Sequence, residues 1–129
     1  MKPEDYLTEI KSRLVTSPII SSVEEVVEEW ALTDQGYFRA RLGLNNGDFL
    51  EVAEYFVVEH EQCVPRRYRY QWMDQHRLAL RKRWDNVEHF PDLPNFPHHV
   101  HTDDHSAVPG YRLSILDLIG ILEKELAAE

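Results

Sequence analysis

Apolar positions recur at helical spacing at the two ends of the chain and with period two between them. Near the N-terminus Tyr6, Leu7, Ile10 and Leu14 fall on one stripe, which predicts a helix over residues 3–16. Pro3 suits its first turn and Glu4 and Asp5 its positive end, while Pro18 stops it. From Ile19 to Thr33 the β-branched residues Ile19, Ile20, Val23, Val26 and Val27, with Trp30, favour a strand with room for a bulge. The glutamate pairs at 24–25 and 28–29 would equally suit a helix.

Two hairpins follow. Tyr37–Leu44 and Phe49–Val58 flank Asn45-Asn46-Gly47-Asp48, and Asn-Gly between apolar runs is a strong short-range hairpin signal. Alternation is expected to set Phe38, Ala40, Leu42, Ala53 and Tyr55 on one face and Arg39, Arg41, Glu54 and Phe56 on the other, with Glu54 pairing Arg39. Arg67–Met73 and Leu78–Asp85 form the second hairpin through Asp74-Gln75-His76-Arg77. Tyr68, Tyr70 and Trp72 share one side of its first strand, and pairing brings Arg81 and Arg83 beside them. At the C-terminus Ser114 and Asp117 resemble a capping box, and Ile115, Leu118, Ile119, Leu122 and Leu126 predict an amphipathic helix over residues 114–127.

Between the last hairpin and that helix the periodicity disappears. Residues 83–105 carry five of the seven histidines (His89, His98, His99, His101, His105), three prolines and four aspartates. Apolar anchors at Trp84, Phe90, Leu93 and Phe96 argue for an ordered functional loop, closed by a turn at Val108-Pro109-Gly110. The expected architecture is α+β: one domain over residues 1–129, with an antiparallel sheet of four to five strands from consecutive hairpins, flanked by an N-terminal and a C-terminal helix.

The chain has no apolar run of membrane-spanning length and no signal-peptide pattern, so a cytoplasmic protein is expected. Cys63 stands alone and reads as an incidental thiol. A formal charge of −9 argues against loose, non-specific nucleic-acid binding. The charge is unevenly spread, however. Residues 66–83 hold seven of the fourteen basic side chains against one acid, Asp74, so a basic patch sits on an acidic body.

The histidines leave three readings open. They are solvated loop residues; or they bind zinc or another transition metal, the donors being His98, His99, His101, Asp103, Asp104 and His105 with His98, His101 and His105 as the ligand set; or two of them act as base and acid on RNA without a metal. The third needs a cation to stabilise a phosphorane, a role open to Arg81 or Arg83. Tyr68, Tyr70 and Trp72 read either as a core stripe or, with arginines interleaved, as a face on which bases stack. Asp85 is expected to partner Arg83 or a loop histidine. Serine-nucleophile, P-loop and dinucleotide signatures are absent.

From Tyr6 to about His101 the chain resembles the TumE family, regarded as toxins of TumE-TumA toxin–antitoxin modules. The resemblance rests on Gly36-Tyr37-Phe38-Arg39-Ala40-Arg41, Glu54-Tyr55, Tyr68-Arg69-Tyr70-Gln71-Trp72, Arg83-Trp84-Asp85-Asn86 and Phe96-Pro97-His98-His99-Val100-His101. Where the family commonly reads A-P-H-H, this chain has Val87-Glu88-His89-Phe90. The resemblance implies a growth-inhibiting toxin, one that cleaves RNA, neutralised by a cognate antitoxin encoded beside it. A homodimer is a separate expectation, which the resemblance does not carry. The helix-then-sheet layout is similar to that of RelE-like toxins, an analogy of fold only.

Two functions follow. One is a metal-independent endoribonuclease whose catalytic His89, His98, His99, His101 and Arg83 share a cleft with RNA-binding Arg39, Arg41, Tyr68, Tyr70, Trp72 and Arg81. The other is a non-enzymatic protein whose histidine loop binds a metal or a protein partner.

Overall fold

The computed structural model describes residues 1–31, 34–88, 90–102 and 106–127. Helix α1 (Pro3–Thr16) leads into seven strands, β1 (Ile20–Ala31), β2 (Gln35–Leu44), β3 (Phe49–Glu59), β4 (Gln62–Met73), β5 (Leu80–Asp85), β6 (His99–His101) and β7 (Ala107–Pro109), and helix α2 (Ile115–Ala127) closes the chain. The strands form one antiparallel sheet in chain order, each paired with its sequence neighbours. The α+β layout with helices at both ends therefore holds, but the sheet has seven strands rather than four or five. β6 lies inside the stretch expected to be loop, and β7 takes up Val108 and Pro109, where a turn was expected. At three residues each, β6 and β7 are too short for alternation to register as a pattern.

The ends of the elements follow local chemistry. Gly47 takes a φ of 90° in the β2–β3 turn, the left-handed geometry that makes Asn-Gly a hairpin signal. The Asp74 carboxylate accepts the Leu78 and Ala79 N–H groups and shapes the β4–β5 turn. At the start of α2 the Asp117 N–H donates to Ser114 Oγ and the Ser114 N–H to Asp117 Oδ2, the reciprocal cap expected from the sequence. β1 is a strand with two register shifts and Glu25 at φ 50°, so the bulge was rightly anticipated.

Both helices lie on one face of the sheet. Their stripes (Tyr6, Leu7, Ile10, Leu14; Ile115, Leu118, Ile119, Leu122) pack with Phe38, Leu42, Leu50, Val52, Phe56, Tyr70, Trp72 and Trp84 into one core. The ends of the chain are tied together by Arg13, whose guanidinium bonds both carboxylate oxygens of Glu123.

Two expectations about faces need correction. Phe38 pairs with Glu54, Ala40 with Val52 and Leu42 with Leu50. Glu54 and Phe56 thus share the core with Phe38, Ala40 and Leu42, while Ala53 and Tyr55 face outward with Arg39 and Arg41. The Glu54–Arg39 pair does not form; Arg39 and Arg41 bond Glu51 instead. Burial pushes the Glu51 carboxyl upward, but the two guanidinium groups outweigh it and hold its pKa below the ordinary value. Glu54 is fully buried. Its carboxyl meets the Tyr6 hydroxyl at 2.6 Å, the Tyr70 hydroxyl at 3.0 Å and the Ile115 N–H at 2.8 Å, so it joins α1, the sheet and the start of α2.

The second correction concerns the aromatic stripe. Tyr68, Tyr70 and Trp72 are core residues, and rings enclosed by protein offer no face on which a base could stack. Strand alternation also separates them from Arg83, which pairs with Gln71 and so points to the helix-free face.

Candidate functional site

Strand β6 decides where the histidines go. It pairs with β5, His101 opposite Arg83, Val100 opposite Trp84 and His99 opposite Asp85. Successive side chains leave opposite faces, so His99 and His101 join Arg83 and Asp85 on the helix-free side, and His98 turns toward Tyr68. The single cleft expected to hold His98, His99, His101, Tyr70 and Arg83 is thus two separate sites. His89 and His105, and with them Asp103 and Asp104, lie outside the described residues.

The first site is an open groove of about 1350 Å³ running over the end of β3 and β4, with Tyr37, Tyr55, Arg67, Arg69, His98 and Arg112 among its walls. His98 Nδ1 lies 2.9 Å from the Tyr68 hydroxyl, and the two rings stack at 5.8 Å with 9° between their planes. That hydroxyl also meets the Tyr111 carbonyl at 3.1 Å. A carbonyl can only accept. The phenol therefore gives its one proton to Tyr111 and accepts from His98 Nδ1–H, which leaves the lone pair of His98 on Nε2. Burial, the nearby Arg112 charge and His99 all lower the His98 pKa below 6.5, so the ring is neutral at pH 7. Burial and the Asp85 charge raise the Tyr68 pKa, so the phenol keeps its proton.

The groove is edged by cations. Arg67, Arg69 and Arg112 are exposed there. Arg66 is paired with Glu59, and Glu88 is a second acid on the wall. Asn86 holds the floor, accepting the Tyr68 N–H at 3.0 Å and donating to the Arg66 carbonyl at 2.8 Å. Burial raises the Cys63 pKa and keeps the thiol protonated, in line with an incidental cysteine.

The second site is compact and buried. The Asp85 carboxylate takes the Arg83 Nε at 3.2 Å and the Val87 N–H at 3.1 Å, and faces His99 Nε2 at 2.8 Å and His101 Nε2 at 3.5 Å. Asp85 is therefore the structural partner of both Arg83 and the histidines, as its position in the sequence suggested. Phe90 packs edge-on to both imidazoles, 5.4 Å from His99 and 5.9 Å from His101.

Of the arginines given roles from the sequence, none lines the groove. Arg81 pairs with Asp48 beside the β2–β3 turn, Arg39 and Arg41 with Glu51, and Arg83 with Asp85. Arg67 and Arg69 belong to the basic segment noted in the sequence. Arg112 was missed, because a lone cation between β7 and α2 carries no local pattern.

A family model described as Toxin TumE matches residues 10–126. No curated protein and no solved structure matches the chain.

Proposed function

The chain belongs to the TumE toxin family, and from that membership we propose that it is a metal-independent endoribonuclease toxin acting in the cytoplasm, with His98 as its base. Membership itself implies a toxin role and an antitoxin partner. The observation that carries the enzymatic reading is His98 on the wall of an arginine-edged groove, its Nδ1 held 2.9 Å from the Tyr68 hydroxyl. A neutral imidazole with its lone pair on Nε2 is suited to take a proton from a ribose 2′-hydroxyl.

The chemistry closes within these residues and water. The 2′-oxygen attacks the adjacent phosphorus, the bond from phosphorus to the 5′-oxygen breaks, and the leaving oxygen takes a proton from solvent in the open groove. Arg67, Arg69 and Arg112 supply the positive charge that offsets the phosphorane dianion. Half-buried Tyr37 and Tyr55 on the groove wall, rather than the buried stripe, are the aromatics within reach of a base.

The test is induction of the wild type and His98→Ala in cells, with growth and total RNA followed together, and analysis of RNA ends from the purified protein. Arrest with 2′,3′-cyclic phosphate ends, both lost in the variant, is expected. Products with 3′-hydroxyl ends, or an undiminished His98→Ala, would overturn the reading.

A further inference from the structure

The buried group on the opposite side of β6 has no part in that chemistry, and its geometry points to a ligand of its own. We propose that Asp85, His99 and His101 bind one divalent transition-metal ion of the zinc class. One donor atom from each of the three residues lies within 4.8 Å of the others, and all three residues are buried.

The distances fit such an ion. Ligands about 2.0–2.1 Å from zinc in a tetrahedron stand about 3.3–3.4 Å apart. The carboxylate stands 2.8 Å from His99 Nε2 through Oδ1 and 3.5 Å from His101 Nε2 through Oδ2, separations on the scale of that edge, so small side-chain rotations that turn one oxygen and both Nε2 atoms toward a common centre admit the ion. The donor set also selects the metal: two imidazoles with one carboxylate suit zinc and its first-row neighbours, whereas magnesium and calcium take oxygen ligands.

The surroundings orient the donors as outer groups do in metal sites. His99 Nδ1 lies 2.8 Å from the Pro97 carbonyl, and a carbonyl only accepts, so Nδ1 carries the proton and Nε2 is the nitrogen turned to Asp85. With the proton on Nδ1, Nε2 turns its lone pair toward the carboxylate 2.8 Å away, an arrangement that a bound cation bridges. The carboxylate is itself pinned, Oδ1 by the Val87 N–H and Oδ2 by Arg83. Each oxygen keeps a lone pair for the histidine side. Phe90, edge-on to both rings, makes the surroundings apolar.

The ligand set differs from the one the sequence suggested. His98 leaves β6 on the other face, so His98 and His101 cannot share an ion. Its consequence would be mechanical: an ion here clamps the three-residue β6 to β5.

The experiment uses the full chain stripped with chelator and titrated with zinc by calorimetry, with magnesium as comparison and X-ray absorption on the zinc-loaded wild type. Expected are one zinc per chain bound tighter than micromolar, two imidazoles in the absorption spectrum, no competition from magnesium, and an affinity unchanged in His76→Ala. His101→Gln and Asp85→Asn are each expected to weaken binding on the order of 100-fold. Absence of micromolar zinc binding by the wild type would overturn the proposal. Spectra with only oxygen ligands, or a folded His101→Gln that binds as the wild type does, would overturn it as well. Should the variants fail to fold, the wild-type stoichiometry and spectrum still decide. None of these readouts depends on RNA cleavage or on His98, so the two readings fail separately.

Discussion

Replacing Glu54 tests the core where sequence reasoning placed it wrongly. Burial disfavours the charged form of its carboxyl and raises its pKa above the ordinary 4.5, against the pull of the hydrogen bonds it accepts from Tyr6, Ile115 and Tyr70. The Tyr70 hydroxyl also has the Leu113 carbonyl at 2.8 Å, so its one proton is shared between two acceptors. In Glu54→Ala the Tyr6 hydroxyl and the Ile115 N–H lose their acceptor inside the core, at about 1–3 kcal/mol each, and a void adds about 1 kcal/mol to this, for a total of about 3–7 kcal/mol. Glu54→Gln keeps the shape and most contacts and is expected to cost about 1–2 kcal/mol. Because the folded pKa is raised, the folded state holds the extra proton, so wild-type stability is greatest below about pH 4.5 with respect to this group and falls as pH rises through the folded pKa. The slope reaches about 1.4 kcal/mol per pH unit at most, and Glu54→Gln lacks it. Urea unfolding of the three proteins at half-unit steps from pH 4.5 to 8 reads both quantities. A Glu54→Ala loss under about 1 kcal/mol, or parallel pH profiles for wild type and Glu54→Gln, would refute the argument.

Three further outcomes are expected. Because the His98 pKa lies below 6.5, the base limb of kcat/KM for RNA cleavage should level off by about pH 7; a limb still rising above pH 8 would remove His98 from that role. Arg67→Ala and Arg69→Ala should each weaken RNA binding and lower the log–log salt slope by roughly one unit, as filter binding at stepped salt would show. A Cβ at Gly36 would sit 2.4 Å from Phe56 Cζ, so Gly36→Ala should destabilise by roughly 1–3 kcal/mol in thermal unfolding, and a neutral result would show that the ring moves aside without penalty.

Elements with long, one-sided periodicity were legible: both helices, the Asn-Gly hairpin and the capping box declare themselves. The face of β3 was not, because Leu50, Val52 and Phe56 alternate with Ala53 and Tyr55 and the deciding position is a buried glutamate, an exception to burial by polarity. The histidines were legible as chemistry but not as geometry. Their partition depends on a three-residue strand whose pairing to β5 no local signal announces. The basic segment was correctly marked, yet which arginines stay exposed depends on where Asp48, Glu51 and Asp85 lie in three dimensions.

The strictly sequential strand order has a consequence for how the chain comes into being. Every hairpin closes on residues just synthesised, so the sheet assembles through short loop closures. The bond between Arg13 and Glu123, 110 positions apart, waits for α2 to leave the ribosome. Until α2 docks, half of the lid over the sheet is missing, and Glu54 lacks its Ile115 partner. The groove waits almost as long, since Tyr111, which directs the Tyr68 proton, and Arg112 directly precede α2. A chain cut short before residue 111 would therefore carry its histidine without the contacts that orient it, so assembly of the site is tied to synthesis of the segment that leads into α2.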